Sequence, residues 1–89
     1  MSLVEVRDYQ IWAKHIHGNE RLKERVLALK AGDLIELEVD GFRGVWKKMD
    51  DNRTTGEATP GIRPFGKARD AWHDLCRMRR GDLVSIAEA

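Results

Sequence analysis

The sequence predicts a single α+β domain, spanning residues 1–89, in which an antiparallel sheet of three or four strands packs against two or three helices. Three observations predict it. The chain has 89 residues, 42% hydrophobic and 35% charged, which is typical of one globular domain with a single core. A nine-residue pattern that ends a helix and begins a strand occurs twice, and an Asp-Gly pair between two alternating segments marks a β-hairpin.

The nine-residue pattern reads Leu29-Lys-Ala-Gly-Asp-Leu-Ile-Glu-Leu37 and again Met78-Arg-Arg-Gly-Asp-Leu-Val-Ser-Ile86. In each copy an apolar helical stripe stops at a glycine, which can take the left-handed conformation that ends a helix. An aliphatic run follows the aspartate. Two interpretations stay open: the two joins are halves of a pseudo-symmetric pair, or they are independent uses of one turn.

The N-terminal third predicts a short strand and one helix, with a second helix left open. Residues 3–6 fit a fourth strand at the sheet edge. Residues 9–16 fit a helix capped by Asp8, although their apolar residues also alternate as in a strand, so both structures remain open and the helix is preferred. Asn19 is a good N-cap for a helix over residues 20–29.

The central hairpin has a defined register. Asp40-Gly41 favours a two-residue type I′ turn, whose central residues need positive φ. Strands are predicted over 34–39 and 43–49 on either side. The predicted cross-strand pairs are Val39 with Phe42, Glu38 with Arg43, Leu37 with Gly44, Glu36 with Val45, Ile35 with Trp46, and Leu34 with Lys47.

The C-terminal half predicts a long loop, a helix and a last strand. Residues 50–66 contain glycines, prolines and threonines without apolar periodicity, which predicts a loop that is either a binding loop or a structural crossover. A helix is predicted over 67–79 and a strand over 83–87. All three tryptophans fall on predicted apolar faces, so we expect them to anchor the core.

Basic residues of the loop and of the following helix form the candidate binding site. The net charge is only +1, so any attraction of a polyanion depends on how the charges are placed. If the loop folds back along the helix, its bases converge with the basic face of that helix. The predicted nucleic-acid or polyanion site consists of Arg53, Arg63, Lys67, Arg69, His73, Arg77 and Arg80. The alternative is a solvated face neutralised by neighbouring aspartates.

The sequence favours a binding module over an enzyme. His73 and Cys76 lie three residues apart and His15-x-His17 offers a second pair, but repeated metal-ligand spacing is absent, so no metal or other cofactor is predicted. No pair of carboxylates is placed to enclose a substrate. We therefore expect a nucleic acid or an acidic protein as partner. The alternative is a protein-interaction or homodimerisation domain that uses an exposed sheet edge or the 50–66 loop.

Cellular location follows from composition alone. Cys76 is the only cysteine, so no intramolecular disulfide can form. The N-terminus lacks the pattern of a secretory signal, and no apolar run approaches the roughly 20 residues of a membrane span. The expectation is a cytoplasmic protein without membrane insertion.

One segment resembles a known family. Residues 22–41, in which Leu-x-x-Gly-Asp leads into an alternating strand and a tight turn, are similar to the middle of AbrB-type swapped-hairpin DNA-binding domains. The similarity covers under a quarter of the chain. It assigns no functional residue to this sequence.

Overall fold

The computed structural model describes residues 2–49 and 61–89 and shows seven antiparallel strands and two α-helices. A 3₁₀ turn at Ala13–His15 joins the second and third strands. The elements are β1 Leu3–Glu5, β2 Ile11–Trp12, β3 Ile16–His17, α1 Glu20–Ala28, β4 Leu34–Val39, β5 Phe42–Lys48, β6 Gly61–Pro64, α2 Gly66–Met78 and β7 Leu83–Glu88.

The sheet is nearly closed on itself, like a barrel. Its strand order is β2-β6-β5-β4-β7-β1-β3. The two edge strands, β2 and β3, are connected to each other by the 3₁₀ turn at Ala13–His15, so one short segment links both edges. The predicted sheet of three or four strands is therefore wrong. The extra strands contain only two to four residues each, too few to show a two-residue period.

Two local predictions also need correction. Residues 9–16 form neither the preferred helix nor one strand, because Ile11, Ala13 and Ile16 are buried at spacings that fit two short strands around a 3₁₀ turn. The predicted loop over 50–66 ends early, since β6 occupies Gly61–Pro64 and α2 begins at Gly66. Residues 50–60 lie outside the described part of the chain.

The predicted hairpin register is confirmed. Val39 pairs with Phe42, and the pairing continues without offset to Leu34 opposite Lys47. Asp40 and Gly41 have φ of 51° and 81°, as a type I′ turn requires. This register places Ile35, Leu37 and Val39 of β4 on the buried face.

The two Gly-Asp joins are built with the same hydrogen bonds. In each join the glycine N–H donates to the carbonyl of a residue at or just after the end of a neighbouring strand, and the N–H of that residue donates back to the aspartate carbonyl. The bonds run from Gly32 to Lys48 (2.9 Å), from Lys48 to Asp33 (2.9 Å), from Gly81 to Val6 (2.6 Å) and from Val6 to Asp82 (2.9 Å). Both glycines have φ close to +93°.

The sheet repeats this equivalence over the whole molecule. The β4–β7 pairing is centred on Glu38 opposite Ala87, and these residues are 49 positions apart, as Gly32 and Gly81 are. If β4 corresponds to β7, β5 to β1 and β6 to β3, the order β6-β5-β4-β7-β1-β3 reads the same from both ends. The pseudo-symmetric interpretation of the two joins is therefore the one that the structure supports.

The hydrophobic core lies inside the curved sheet and under the helices. α2 packs against β5 and β6, and the Trp46 and Trp72 rings meet edge to face with centroids 5.5 Å apart. Gly44 of β5 allows this close approach, since a Cβ there would lie 2.3 Å from the Cβ of Ala68. α1 packs against β3 and the 3₁₀ turn through Leu22 and Val26. Among residues 2–49 and 61–89, neither helix is long and apolar enough to cross a membrane.

Candidate functional site

The candidate site is organised by Asp8, in the connection between β1 and β2. Its backbone carbonyl accepts hydrogen bonds from two side chains of α2, the Trp72 indole N–H at 2.9 Å and the Cys76 thiol at 3.1 Å. Its carboxylate accepts the indole N–H of Trp12 at 2.9 Å. These bonds fix residues 8–12 against α2 and fix the orientation of the Trp12 ring.

The Trp12 ring packs on the backbone of Gly61, at a position where no side chain larger than hydrogen fits. Trp12 pairs with Gly61 of β6, and a Cβ on Gly61 would lie 3.1 Å from a ring carbon of Trp12 and closer still to the Gln10 amide. Trp12 is half-buried, whereas Trp46 and Trp72 are 2% and 1% exposed. The prediction that all three tryptophans anchor the core is wrong for Trp12, whose ring lines two cavities.

The first of these, which we call the aromatic cavity, has a volume of about 460 Å³. Tyr9, 58% exposed, stands edge to face against His73 with ring centroids 4.6 Å apart. Arg63 of β6 donates from Nε to the side-chain oxygen of Gln10 at 3.2 Å, a neutral partner. The cavity is lined by Asp8, Tyr9, Gln10, Trp12, Arg63, Pro64, Arg69 and His73.

The second, which we call the basic cavity, shares Asp8 and Trp12 with the aromatic cavity and has a volume of about 290 Å³. It is lined by Arg7, Asp8, Trp12, Lys14, His15 and Arg80. Burial lowers the pKa of His15, and Arg7 and Lys14 lower it further, while the Glu5 carboxylate at 3.9 Å opposes them. His15 is therefore neutral at pH 7, and the three other basic side chains carry the positive charge.

A third cavity, which we call the outer cavity, is lined by Tyr9, Asp70, His73, Asp74 and Arg77. Here the basic groups are matched by carboxylates. Arg77 is hydrogen-bonded to Asp74, one turn earlier on α2. The outer cavity therefore offers an anion less uncompensated charge than the other two.

The structure divides the predicted site residues among these places. Arg63, Arg69 and His73 come together in the aromatic cavity. Arg77 lines the outer cavity and Arg80 the basic cavity, so the predicted ridge along one helix is split. Lys67 is exposed at the start of α2 and lines none of the three cavities, and Arg53 lies outside the described residues.

Sequence reasoning missed the other half of the site. Tyr9, Trp12 and Lys14 lie in the segment 9–16, which the sequence leaves open between helix and strand, and Arg7 precedes it. This stretch interleaves basic and aromatic residues, a pattern typical of nucleic-acid contact. This half of the site is not predictable from local periodicity, because β2 has two residues and no local pattern shows that residues 11–12 pair with Gly61–Ile62.

Cys76 lies in this site as a hydrogen-bond donor to the backbone. Burial raises the pKa of the Cys76 thiol, which donates to the Asp8 carbonyl while His73 contacts Tyr9. Among residues 2–49 and 61–89, no group of three or more His, Cys, Asp or Glu side chains could hold a metal ion.

Comparison with protein-family models, with curated proteins and with solved structures found no match to this chain. The AbrB-type similarity of residues 22–41 therefore stays a resemblance of one short segment. Function has to be argued from the geometry of the cavities.

Proposed function

We propose that this protein is a non-enzymatic module that binds single-stranded nucleic acid in the aromatic cavity. One observation carries the proposal: a 460 Å³ cavity brings two accessible aromatic rings, Tyr9 and Trp12, beside two arginines, Arg63 and Arg69. Aromatic side chains accept bases by stacking, which contributes about 1–3 kcal/mol per base. Arginines hold the adjacent phosphates through paired N–H donors.

The charges around the cavity support an anionic ligand. Arg63 is bonded to the neutral amide oxygen of Gln10, so its charge remains available to a phosphate. Arg69 lies 3.9 Å from Asp70, and both side chains are more than 60% exposed, so this contact contributes little. Among residues 2–49 and 61–89, one carboxylate lines the cavity, that of Asp8, so two arginine charges face a single negative charge.

A single strand fits this site better than a duplex. Stacking needs unpaired bases that can turn their faces towards Trp12 and Tyr9, and a duplex keeps its bases inside. A helix inserted into the major groove would need one continuous basic face. On α2, Arg77 is bound to Asp74, and Arg80 lies beyond the helix C-terminus in another cavity.

Homodimerisation through a sheet edge is less well supported. In the described part of the chain, the edge strands β2 and β3 are two residues long, and the 3₁₀ turn joins them directly. They present few unpaired backbone groups to a second copy. The other predicted interaction surface, the 50–66 loop, lies mostly outside the described residues.

Tryptophan fluorescence tests the proposal. Trp12 is the most accessible of the three tryptophans, so a base that stacks on it should quench the emission of Trp12. The emission of the buried Trp46 and Trp72 should stay unchanged. We expect a thymidine oligonucleotide of about 8 residues to bind at low salt. The logarithm of the affinity should fall with the logarithm of salt concentration by about 0.7 per phosphate contact.

Three variants make the test specific. Arg63→Ala and Arg69→Ala should each weaken binding several-fold and reduce the salt slope, and Tyr9→Ala should weaken binding without changing that slope. Arg43→Ala is the matched control, because Arg43 is an exposed arginine of the β4–β5 hairpin that lines none of the three cavities. Equal affinity of all four variants, or preference for a duplex of the same sequence, would contradict the proposal.

A further inference from the structure

The basic cavity is not explained by a ligand that occupies the aromatic cavity alone. It gathers three positively charged side chains, Arg7, Lys14 and Arg80, although they belong to different parts of the chain. The equivalent hydrogen bonds of the second Gly-Asp join bring them together: Gly81 donates to Val6 and Val6 donates to Asp82. Arg80 precedes Gly81 and Arg7 follows Val6, so these bonds hold Arg80 beside Arg7.

The carboxylates around the basic cavity do not fully neutralise its three positive side chains. Glu5 flanks the cavity, 4.0 Å from Arg7 and 3.9 Å from His15, distances at the limit of an ion pair. Asp8 is held by Trp12. Within residues 2–49 and 61–89, neither Lys14 nor Arg80 has a carboxylate within 4.0 Å. Each keeps donors for an anion.

The two cavities share a wall. Asp8 and Trp12 line both of them, so Trp12 borders the arginines of the aromatic cavity and also the basic side chains of the basic cavity. A strand whose base stacks on Trp12 has phosphates on both sides of that base. One phosphate would lie towards Arg63 and Arg69 and the next towards Arg7, Lys14 and Arg80.

We propose that the basic cavity binds a backbone phosphodiester of the same strand, so that the nucleic acid passes over Trp12 from one cavity into the other. This inference rests on the proposed function and adds a second contact site with its ligand group. His15, neutral and in the cavity wall, supplies a hydrogen bond to the phosphate. The bound anion also favours the protonated form of His15. Glu5 and Asp8 act in the same direction, and Arg7 and Lys14 oppose it.

Affinity of two variants for one labelled strand tests the path. With the thymidine oligonucleotide of about 8 residues, Arg80→Ala and Lys14→Ala should each weaken binding roughly three- to tenfold and lower the salt slope by about 0.7. Arg43→Ala should leave both unchanged. Lys14 and Arg80 are both exposed, so we expect the thermal unfolding of the two variants to show that they remain folded.

The outcomes separate the inference from the proposed function. If Arg63→Ala weakens binding and Arg80→Ala and Lys14→Ala do not, the path over Trp12 is wrong and the aromatic cavity stands alone. If none of these variants differs from Arg43→Ala, the proposed function fails as well. If only Arg80→Ala and Lys14→Ala weaken binding, the basic cavity acts by itself and the shared path is overturned.

Two further arms identify the source of the phosphate. A strand with a 5′-phosphate and the same strand with a 5′-hydroxyl should bind equally, and inorganic phosphate should compete poorly. A requirement for the terminal phosphate would instead show a phosphomonoester site and overturn the proposal. As a readout independent of affinity, NMR titration at saturating strand should show the pKa of His15 rising on binding, and an unchanged pKa would contradict a phosphate in the basic cavity.

Discussion

At the scale of single residues, Asp8 determines how the site is built. Its carbonyl accepts two donors from α2 and its carboxylate accepts the Trp12 indole N–H, so three side chains from two elements, α2 and β2, meet at one residue. The two part-buried bonds to the carbonyl contribute about 1 kcal/mol each, and the cost is larger when one partner is lost. Cys76 is thereby explained as a structural group and not as a nucleophile.

The Cys76 thiol is expected to be inert in the folded protein. It is 7% exposed, and burial raises its pKa, so the reactive thiolate is scarce at pH 8. Alkylation by iodoacetamide at that pH should be much slower than in the urea-unfolded protein, as mass spectrometry would show. Fast alkylation with unchanged circular dichroism would mean that the thiol is accessible.

His15 should make the protein less stable in mild acid. Its side chain is 13% exposed and its pKa in the folded state is lowered below about 6.5, its value in the unfolded chain. The unfolded state therefore takes up the proton first, and stability that is complete above about pH 6.5 falls as the pH drops towards the lowered pKa. His15→Gln should flatten the decline in free energy of unfolding between about pH 7.5 and 5.5.

Urea titrations at several pH values measure this effect. His17→Gln, at an exposed position beside the same Glu5, controls for the loss of an imidazole. A decline of equal steepness in His15→Gln and in the unmodified protein would assign the pH dependence to other groups.

At this scale the sequence reveals the chemistry of half the site. Arg63, Arg69 and His73 can be named from their charge and spacing, since helical periodicity relates positions 69 and 73 directly. Trp12 cannot, because its place depends on β2 pairing with β6, a contact between distant segments that no local pattern records. Its indole is also satisfied by Asp8, a bond that only the folded backbone brings into reach.

At the scale of elements, the turn chemistry makes the β4–β5 register predictable and the strand lengths make the rest difficult. Asp40-Gly41 selects one turn type, and every pair of the hairpin follows from it. Two-residue strands carry no such signal. The helices α1 and α2 agree with the predicted ones to within one residue at each end, because both have long apolar stripes.

The contact between β5 and α2 should be sensitive to a single methyl group. An alanine at position 44 would place its Cβ 2.3 Å from that of Ala68, so the strand and helix must separate. We expect Gly44→Ala to lower the free energy of unfolding by about 1–3 kcal/mol. Chemical denaturation measures this loss.

A double-mutant cycle shows whether the methyl clash is the cause. Ala68→Gly alone should cost about 1 kcal/mol of helix stability. In the double variant it should instead recover part of the loss from Gly44→Ala, giving a favourable coupling energy. Additive losses would indicate that position 44 acts through backbone conformation.

At the scale of the whole molecule, the pseudo-twofold arrangement means that neither half of the chain is a folding unit. Divided at the Asp40–Gly41 turn, the halves contain β1-β2-β3-α1-β4 and β5-β6-α2-β7. Among the strands of residues 2–49 and 61–89, only β1–β3 and β5–β6 pair within a half. The pairings β4–β5, β4–β7, β1–β7 and β2–β6 all cross between the halves. The aromatic cavity is also built from both halves, since Trp12 comes from one half and Arg63 and Arg69 from the other.

Fragments 1–40 and 41–89 should therefore be unfolded separately and fold when mixed. In the first fragment β4 loses both neighbours, and in the second β7 loses both, so each keeps one short strand pair, too little for independent stability. Circular dichroism of each fragment should lack a cooperative thermal transition, and an equimolar mixture should regain one together with the Trp12 quenching by a single strand. Cooperative unfolding of either fragment alone would show that a half suffices, and that the crossed pairings are not what holds this sheet together.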